Sequence, residues 1–329
     1  MTVTLEDILA ARGRIAGKVE RTAMVTSRSL SARTGHPVHL KLEHRQTTGA
    51  FKLRGATNAL ARLGAGARAR GVATASTGNH GRAVAHAARL EGVRAVVCLS
   101  RLVPANKVDE IRALGADVRI VGNSQDEAQR EVERLVAEEG MTAIPPFDHA
   151  DVIAGQGTIG LEMVEDAPDM SAVLVPLSGG GLIAGIAVAL KALRPSARIV
   201  GISMERGAAM AASLAAGRPV AVEELPTLAD SLGGGVGLDN RHTFALVRDL
   251  VDEVVLLTEP EIAAGVRHAY FEEREVLEGG GAVGLAAILA RKVRPSGPTV
   301  VLLSGRNVDM AVHRDIVCGG AASQGESAP

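Results

Sequence analysis

The feature that most constrains the fold of this 329-residue chain is an alternation of short β-branched runs with longer Ala- and Leu-rich stretches. Strands joined through helices of that length cross over and lie parallel, because a tight hairpin is not open to them. Val38 to Leu42, Gly71 to Ala75, Ala95 to Leu99, Val118 to Val121, Ala172 to Pro176, Ile199 to Ser203, Val254 to Leu257 and Thr299 to Leu303 read as strands. Between them, Thr57 to Arg62, Arg82 to Leu90, Asn106 to Leu114, Asp126 to Glu139, Ile183 to Leu193 and Glu261 to Glu273 read as helices. The expectation is a parallel α/β protein. Aromatic residues make up only 2% of the chain, so its core must be built from Ala, Val, Leu and Ile.

Pro145, Pro146 and Asp148 interrupt the pattern, which puts one domain boundary near residue 148 and another near 70. Residues 1–70 and 149–318 then form a large domain and 71–148 a small one. Residues 319–329 carry too little apolar surface to pack and read as a flexible tail, with no regulatory domain expected beyond it. The 36 basic and 37 acidic side chains give a net charge of -1, so no basic footprint for nucleic acid or an anionic membrane is expected. No signal peptide and no membrane span is read, and two cysteines, Cys98 and Cys318, point to a reducing cytoplasm rather than a disulfide framework.

Four stretches carry chemistry. Lys52 opens a helix between Phe51 and Leu53 in a chain with six lysines against thirty arginines. Desolvation there would lower its pKa toward that of a nucleophile able to form a Schiff base, the alternative being a solvated lysine in a first helical turn. Ser76-Thr77-Gly78-Asn79-His80 follows a strand and precedes a helix, where backbone N–H groups and hydroxyls can receive a carboxylate or merely cap the helix. Ser178-Gly179-Gly180-Gly181-Leu182 lies at a similar junction and leaves backbone amides bare for a phosphate, or makes a tight turn. It lacks the Lys-Ser/Thr of a nucleotide loop. Ser304, in Ser304-Gly305-Arg306-Asn307, would sit at the C-terminal edge of the sheet, where open α/β sheets bind ligands.

Gly279-Gly280-Gly281-Ala282-Val283-Gly284 matches the dinucleotide pattern literally, but it follows a helix end instead of a strand and is not read as a nucleotide site. The nine histidines form no zinc pattern, so no metal is expected.

Together these motifs resemble the fold type II pyridoxal-phosphate enzymes of the serine/threonine dehydratase family. Glu43 to Ala56 is similar to the family's lysine signature, Ser76 to His80 to its substrate loop, Ser178 to Leu182 to its phosphate loop, and Ser304 to Asn307 to its pyridine-nitrogen contact. Through Ser203 to Met210 and Ala229 to Gly235 the chain most resembles the hydroxyectoine utilization dehydratases. The resemblance implies an α/β fold of two open parallel-type sheets with flanking helices, tryptophan synthase beta-like, and pyridoxal 5'-phosphate as cofactor. It implies that Lys52 is catalytic and holds the cofactor, that Phe51 backs its ring and Asn79 faces its 3-oxygen. Ser178, Gly179, Gly180, Gly181 and Leu182 would bind its phosphate, with Ser304 beside the pyridine nitrogen. Ser76, Thr77, Gly78, Asn79 and His80 would orient the substrate carboxylate.

The implied activity is dehydration and deamination of a β-hydroxy-α-amino acid to a 2-keto acid and ammonia by a cytoplasmic homo-oligomer, dimer or tetramer. A neutral Ser304 implies a weak electron sink, which suits elimination. Ser203 and Ala209 stand where some relatives carry acidic cation ligands, though Glu205 is near. Thr77 stands where racemases carry a serine, and Ala50 where a serine often precedes the lysine. The alternatives are an amino-acid racemase on the same fold and a non-enzymatic sensor of a phosphorylated metabolite.

Overall fold

The computed structural model describes residues 3–319 except 77, 102 and 104. Chain order begins with α1 (Leu5–Ile15), β1 (Met24–Thr26), α2 (Arg28–Thr34), β2 (Val38–Lys41), α3 (Lys52–Ala61) and α4 (Ala65–Arg70). It continues through β3 (Val72–Ala75), α5 (Asn79–Glu91), β4 (Ala95–Leu99), α6 (Ala105–Ala113), β5 (Asp117–Ile120), α7 (Gln125–Glu139) and β6 (Thr142–Ala143). The remainder is α8 (Ala150–Asp166), β7 (Ala172–Pro176), α9 (Gly181–Leu193), β8 (Arg198–Met204), α10 (Ala209–Ala216), α11 (Thr243–Leu250), β9 (Glu253–Leu257), α12 (Glu259–His268), α13 (Gly279–Leu289), β10 (Thr299–Leu302) and α14 (Met310–Val317).

Two sheets result, a six-stranded one in the order β1-β2-β10-β7-β8-β9 and a four-stranded one in the order β5-β4-β3-β6. All the pairings are parallel except β1 with β2. The eight expected strands are present with ends shifted by a residue or so. Strands β1 and β6 escape sequence reading because three and two residues are too short to show a period.

Helix α8 is the large omission from the sequence reading. Gly155, Gly157 and Gly160 depress its propensity, each by about 1 kcal/mol relative to alanine, and Val152 to Met163 are all buried, so there is no polar stripe. The expected helix Glu261 to Glu273 is α12 followed by a five-residue π-helical turn from Ala269 to Glu273, closed by Arg274 at φ 59°. The Gly279 triplet opens α13.

Each face of the six-stranded sheet is covered by its own apolar cluster, one with α1, α8 and α9 and the other with α12 and α13. Alanines at the contacts, such as Ala83, Ala87 and Ala88 of α5, let helices lie close to the sheets, and each fully buried Leu, Ile or Val adds about 1.5–3 kcal/mol. Among the described residues no helix is long and apolar enough to cross a membrane.

Candidate active site

Lys52 is the first residue of α3 and is partly buried. Its Nζ donates to the Pro146 carbonyl oxygen at 2.6 Å and lies 5.2 Å from the centroid of the Phe51 ring. Burial lowers its pKa to about 8, with the Glu278 carboxylate opposing that shift. A fraction of the amine is therefore unprotonated at neutral pH, as a nucleophile requires.

The residue after Pro146 carries the geometry to the triple-glycine bend. A Cβ on Gly179 would meet the Phe147 ring at 2.4 Å, and one on Gly181 would meet the Phe147 carbonyl oxygen at 2.8 Å. Lys52 and the bend thus touch adjacent residues of one loop. That loop is held by Asp148, whose carboxylate accepts the backbone N–H groups of Arg241 at 2.7 Å and of His242 and Thr243 at 2.9 Å. Gly180 caps α9 at φ 88°, where an L side chain is strained, and no side chain caps the helix. Ser178 is partly exposed, and Leu182 is buried behind the bend.

Ser304 follows β10 and is buried, and its carbonyl oxygen accepts the Phe51 N–H at 3.1 Å, while Ala50 and Gly305 form an antiparallel bridge. The end of β10 is thereby joined to the start of α3. Asn79, the first residue of α5, donates from Nδ2 to Glu278 Oε1 at 2.8 Å, and its Oδ1 accepts from Asn307 Nδ2. Asn307 also donates to the Thr48 carbonyl oxygen at 2.9 Å and accepts from Arg82. Gly78 precedes α5, which no side chain caps, and Ser76 lies at the exit of β3. By contrast α1, α7, α12 and α14 begin with capping Thr, Ser, Thr and Asp side chains.

The His80 ring is turned away from the other residues of its motif. His80 is 2% exposed with Nε2 2.8 Å from the Ile144 carbonyl oxygen. Burial, then the neighbouring Lys52 charge, push its pKa to about 3, so the ring is neutral and donates to the carbonyl. His80 can serve a carboxylate only through its backbone N–H. Thr77 lies outside the described residues, as do residues 320–329 of the expected tail.

Glu278 and Phe147 are members of this site that the sequence reading did not name, while Asn307 appeared there only as the end of the Ser304 motif and Pro146 only at a domain boundary. Glu278 is 4% exposed at the N-cap of α13, and Oε2 accepts the Asn307 backbone N–H at 3.1 Å. Burial raises its pKa to about 7, with Asp230 adding to the rise. A lone glutamate before a glycine triplet gives no local signal of this position.

No three His, Cys, Asp or Glu side chains are grouped for a metal ion among the described residues. Near Glu205 the Lys292 ammonium lies 3.5 Å from its carboxylate, 2.8 Å from that of Glu261 and 2.8 Å from the Leu256 carbonyl oxygen.

The family model described as pyridoxal-phosphate dependent enzyme matches residues 15–305. The chain belongs to the fold type II pyridoxal-phosphate enzymes of the serine/threonine dehydratase family. It is 62% identical to a putative threonine dehydratase of Sinorhizobium fredii over 96% of both chains. It is 42% identical to the L-threonine ammonia-lyase of Thermotoga maritima over 98% of this chain and 80% of that protein. The structure of maize serine racemase superposes with a TM-score of 0.90 at 35% identity, covering 94% of this chain and 95% of that one.

The residues present fit the family's cofactor. A lysine amine with a lowered pKa stands across one loop from an uncapped helix N-terminus whose glycines leave no Cβ over the amides. Gly180→Ala adds a Cβ 2.9 Å from Met210 Cε at a left-handed backbone position costing about 1–2 kcal/mol, and should weaken pyridoxal-phosphate affinity about tenfold in a fluorescence titration.

Capture of the cofactor by the enzyme should accelerate as pH rises through about 8, where Lys52 loses its proton. Glu278 is ionised at that pH and favours the ammonium, so Glu278→Gln should move the midpoint below 8. Stopped-flow absorbance against pH measures it, and a midpoint that stays or rises contradicts the assignment.

Proposed function

We propose that the enzyme dehydrates and deaminates L-threonine or a close β-hydroxy-α-amino acid, releasing a 2-keto acid and ammonia. The observation carrying this reading is the meeting of the Lys52 amine, the triple-glycine bend and the start of α5 around one loop, Ile144 to His149, with the end of β10 bonded to Phe51 beside the lysine. Pyridoxal phosphate, when bound, supplies the electron sink that makes the α-proton acidic. Lys52 is the base that takes that proton, because its pKa of about 8 is matched to transfer near neutral pH. The N–H groups at the start of α5 would receive the substrate carboxylate, and Asn79, held by Glu278 and Asn307, would serve the cofactor's 3-oxygen.

The bend from Ser178 to Leu182 would hold the phosphate, Phe51 would back the ring, and Ser304, neutral, would be the partner of the pyridine nitrogen, a weak electron sink that favours elimination. Phe147 covers the bend and limits water there. The proton taken up by Lys52 would be returned to the departing β-hydroxyl, so that water leaves, and the released enamine becomes an imine whose hydrolysis yields ammonia and the keto acid.

The names of the Sinorhizobium and Thermotoga relatives support threonine as substrate. The finer reading, a hydroxylated diaminobutyrate derived from hydroxyectoine, rests on the sequence resemblance and is an arm of the same test. Purified enzyme with pyridoxal phosphate is given L-threonine, L-serine or 3-hydroxy-2,4-diaminobutyrate, and keto acid is followed with time. Keto acid from threonine above the other two supports the main reading, and a preference for the diaminobutyrate supports the finer one. The likeness to maize serine racemase supports a second reading. D-serine from L-serine without pyruvate would decide for that reading.

The chain is further read as a cytoplasmic homo-oligomer, dimer or tetramer, with residues 1–70 and 149–318 as a large domain and 71–148 as a small one. Light scattering of the purified enzyme tests the oligomeric state.

A further inference from the structure

Helix α8 packs against both α3, which starts at Lys52, and α9, which starts at Gly181. On the α3 side three ties lie within its first turn. Arg54, two residues past Lys52 and 1% exposed, donates from Nη1 to Glu162 Oε1 at 2.6 Å and Thr158 Oγ1 at 3.1 Å, and from Nη2 to Glu162 Oε2 at 2.9 Å. Gln156 Oε1 accepts the Gly55 N–H at 3.2 Å. A Cβ on Gly155 would meet the Arg54 carbonyl oxygen at 2.6 Å and Gly55 Cα at 2.7 Å. On the α9 side a Cβ on Gly185 would meet the Ile153 carbonyl oxygen at 2.3 Å, and one on Gly160 would meet Ala189 Cβ at 2.9 Å. Backbone therefore meets backbone on both faces of α8, and packed backbone yields less than side-chain ends do.

We propose that α8 is a spacer that sets the distance between the Lys52 amine and the phosphate-binding bend, with Arg54, Glu162 and Gly160 as positioning residues. The proposal rests on the reading that Lys52 takes the aldehyde of pyridoxal phosphate and the bend its phosphate. A rigid ligand gains from its second anchor only when the gap matches its length, and a misplacement of about 1 Å costs up to about a hundredfold. Arg54 fixes the rotation of α3 about its axis, while the glycines fix its separation from α8.

The test compares Gly160→Ala and Glu162→Gln with the unaltered enzyme for three probes: pyridoxal phosphate, pyridoxal, which lacks the phosphate, and inorganic phosphate. Gly160→Ala forces α8 and α9 apart by a few tenths of an ångström. Its pyridoxal-phosphate affinity should fall about tenfold, while pyridoxal and inorganic phosphate each stay within about twofold. Glu162→Gln should show the same selective loss through the rotation of α3. If Glu162→Gln does not fold, as a thermal melt will tell, Gly160→Ala decides alone. Equal loss for all three probes, or none, overturns the spacer. Borohydride reduction and peptide mass mapping of the unaltered enzyme separate the two levels. A pyridoxyl group absent from Lys52 overturns the cofactor reading and the spacer with it, whereas its presence with unaltered variant affinities overturns the spacer alone.

Discussion

Lys52→Ala is expected to give a folded protein that does not retain pyridoxal phosphate covalently, and whose keto-acid release from L-threonine falls by about a thousandfold or more, within the span of general-base and nucleophilic contributions. The fold should survive because Lys52 is only partly buried and its side chain donates one hydrogen bond, to the Pro146 carbonyl oxygen. Losing that bond costs about 1 kcal/mol, which the removal of a desolvated ammonium partly offsets. Two measurements read the result, the visible absorbance of the purified protein and keto-acid release with time. Retained cofactor colour with full turnover would remove Lys52 from the active site.

The second large effect is on stability. Arg54 is enclosed with Glu43, Glu162 and Lys41, all of them buried. Arg54 also reaches Glu43 through Nε at 2.9 Å and Nη2 at 2.8 Å, and Lys41 Nζ lies 2.6 Å from Glu162 Oε2 and donates to the Thr22 carbonyl oxygen. Two cations face two carboxylates, so the cluster is neutral while complete. Arg54→Leu leaves one cation against two buried carboxylates and should lower unfolding stability by about 3–5 kcal/mol, since a buried pair broken from one side is far costlier than one replaced whole.

The pH dependence has a definite sign. Burial works against ionising Glu43, and Arg54 overcomes it, so the Glu43 carboxyl is held below its ordinary range. A lowered acid pKa adds stability above the unfolded value, 4.5, and that stability is lost as pH falls through the folded one. In Arg54→Leu, burial dominates and the Glu43 pKa rises above its unfolded value, so protonation then favours the folded state and the variant's deficit against the unaltered protein should shrink as pH falls. Urea unfolding at pH 7 and at pH 5 measures both effects. A loss under about 1 kcal/mol at pH 7 would mean that the cluster is replaceable there.

How much could be read beforehand depended on how local each signal was. The strands of the sheets are runs of Val, Ile and Leu flanked by turn residues, so their positions are written in neighbouring residues. The motifs at Lys52, Asn79, Gly179 to Gly181 and Ser304 were equally legible, because each is a junction of strand or loop with helix and has its own composition. Helix α8 was not, because its glycines look like turn residues until α3 and α9 are laid against them. Glu278 carries no pattern at all. Its role depends on Asn79, 199 residues away in sequence, and on burial that only the folded chain imposes. The ring of His80 likewise took its partner from the loop after β6, at Ile144, and not from the motif it belongs to.

By itself, then, the sequence determined the parallel α/β class and the places of the Lys52 motif and the glycine bend, since each follows from propensities and side-chain chemistry within a few residues. The tertiary structure alone decided that the lysine and the bend meet one loop, that a buried glutamate holds Asn79 and Asn307, and which carbonyl claims the histidine. Those outcomes arise from contacts between segments distant in the chain, where packing and desolvation overrule anything local residues prefer.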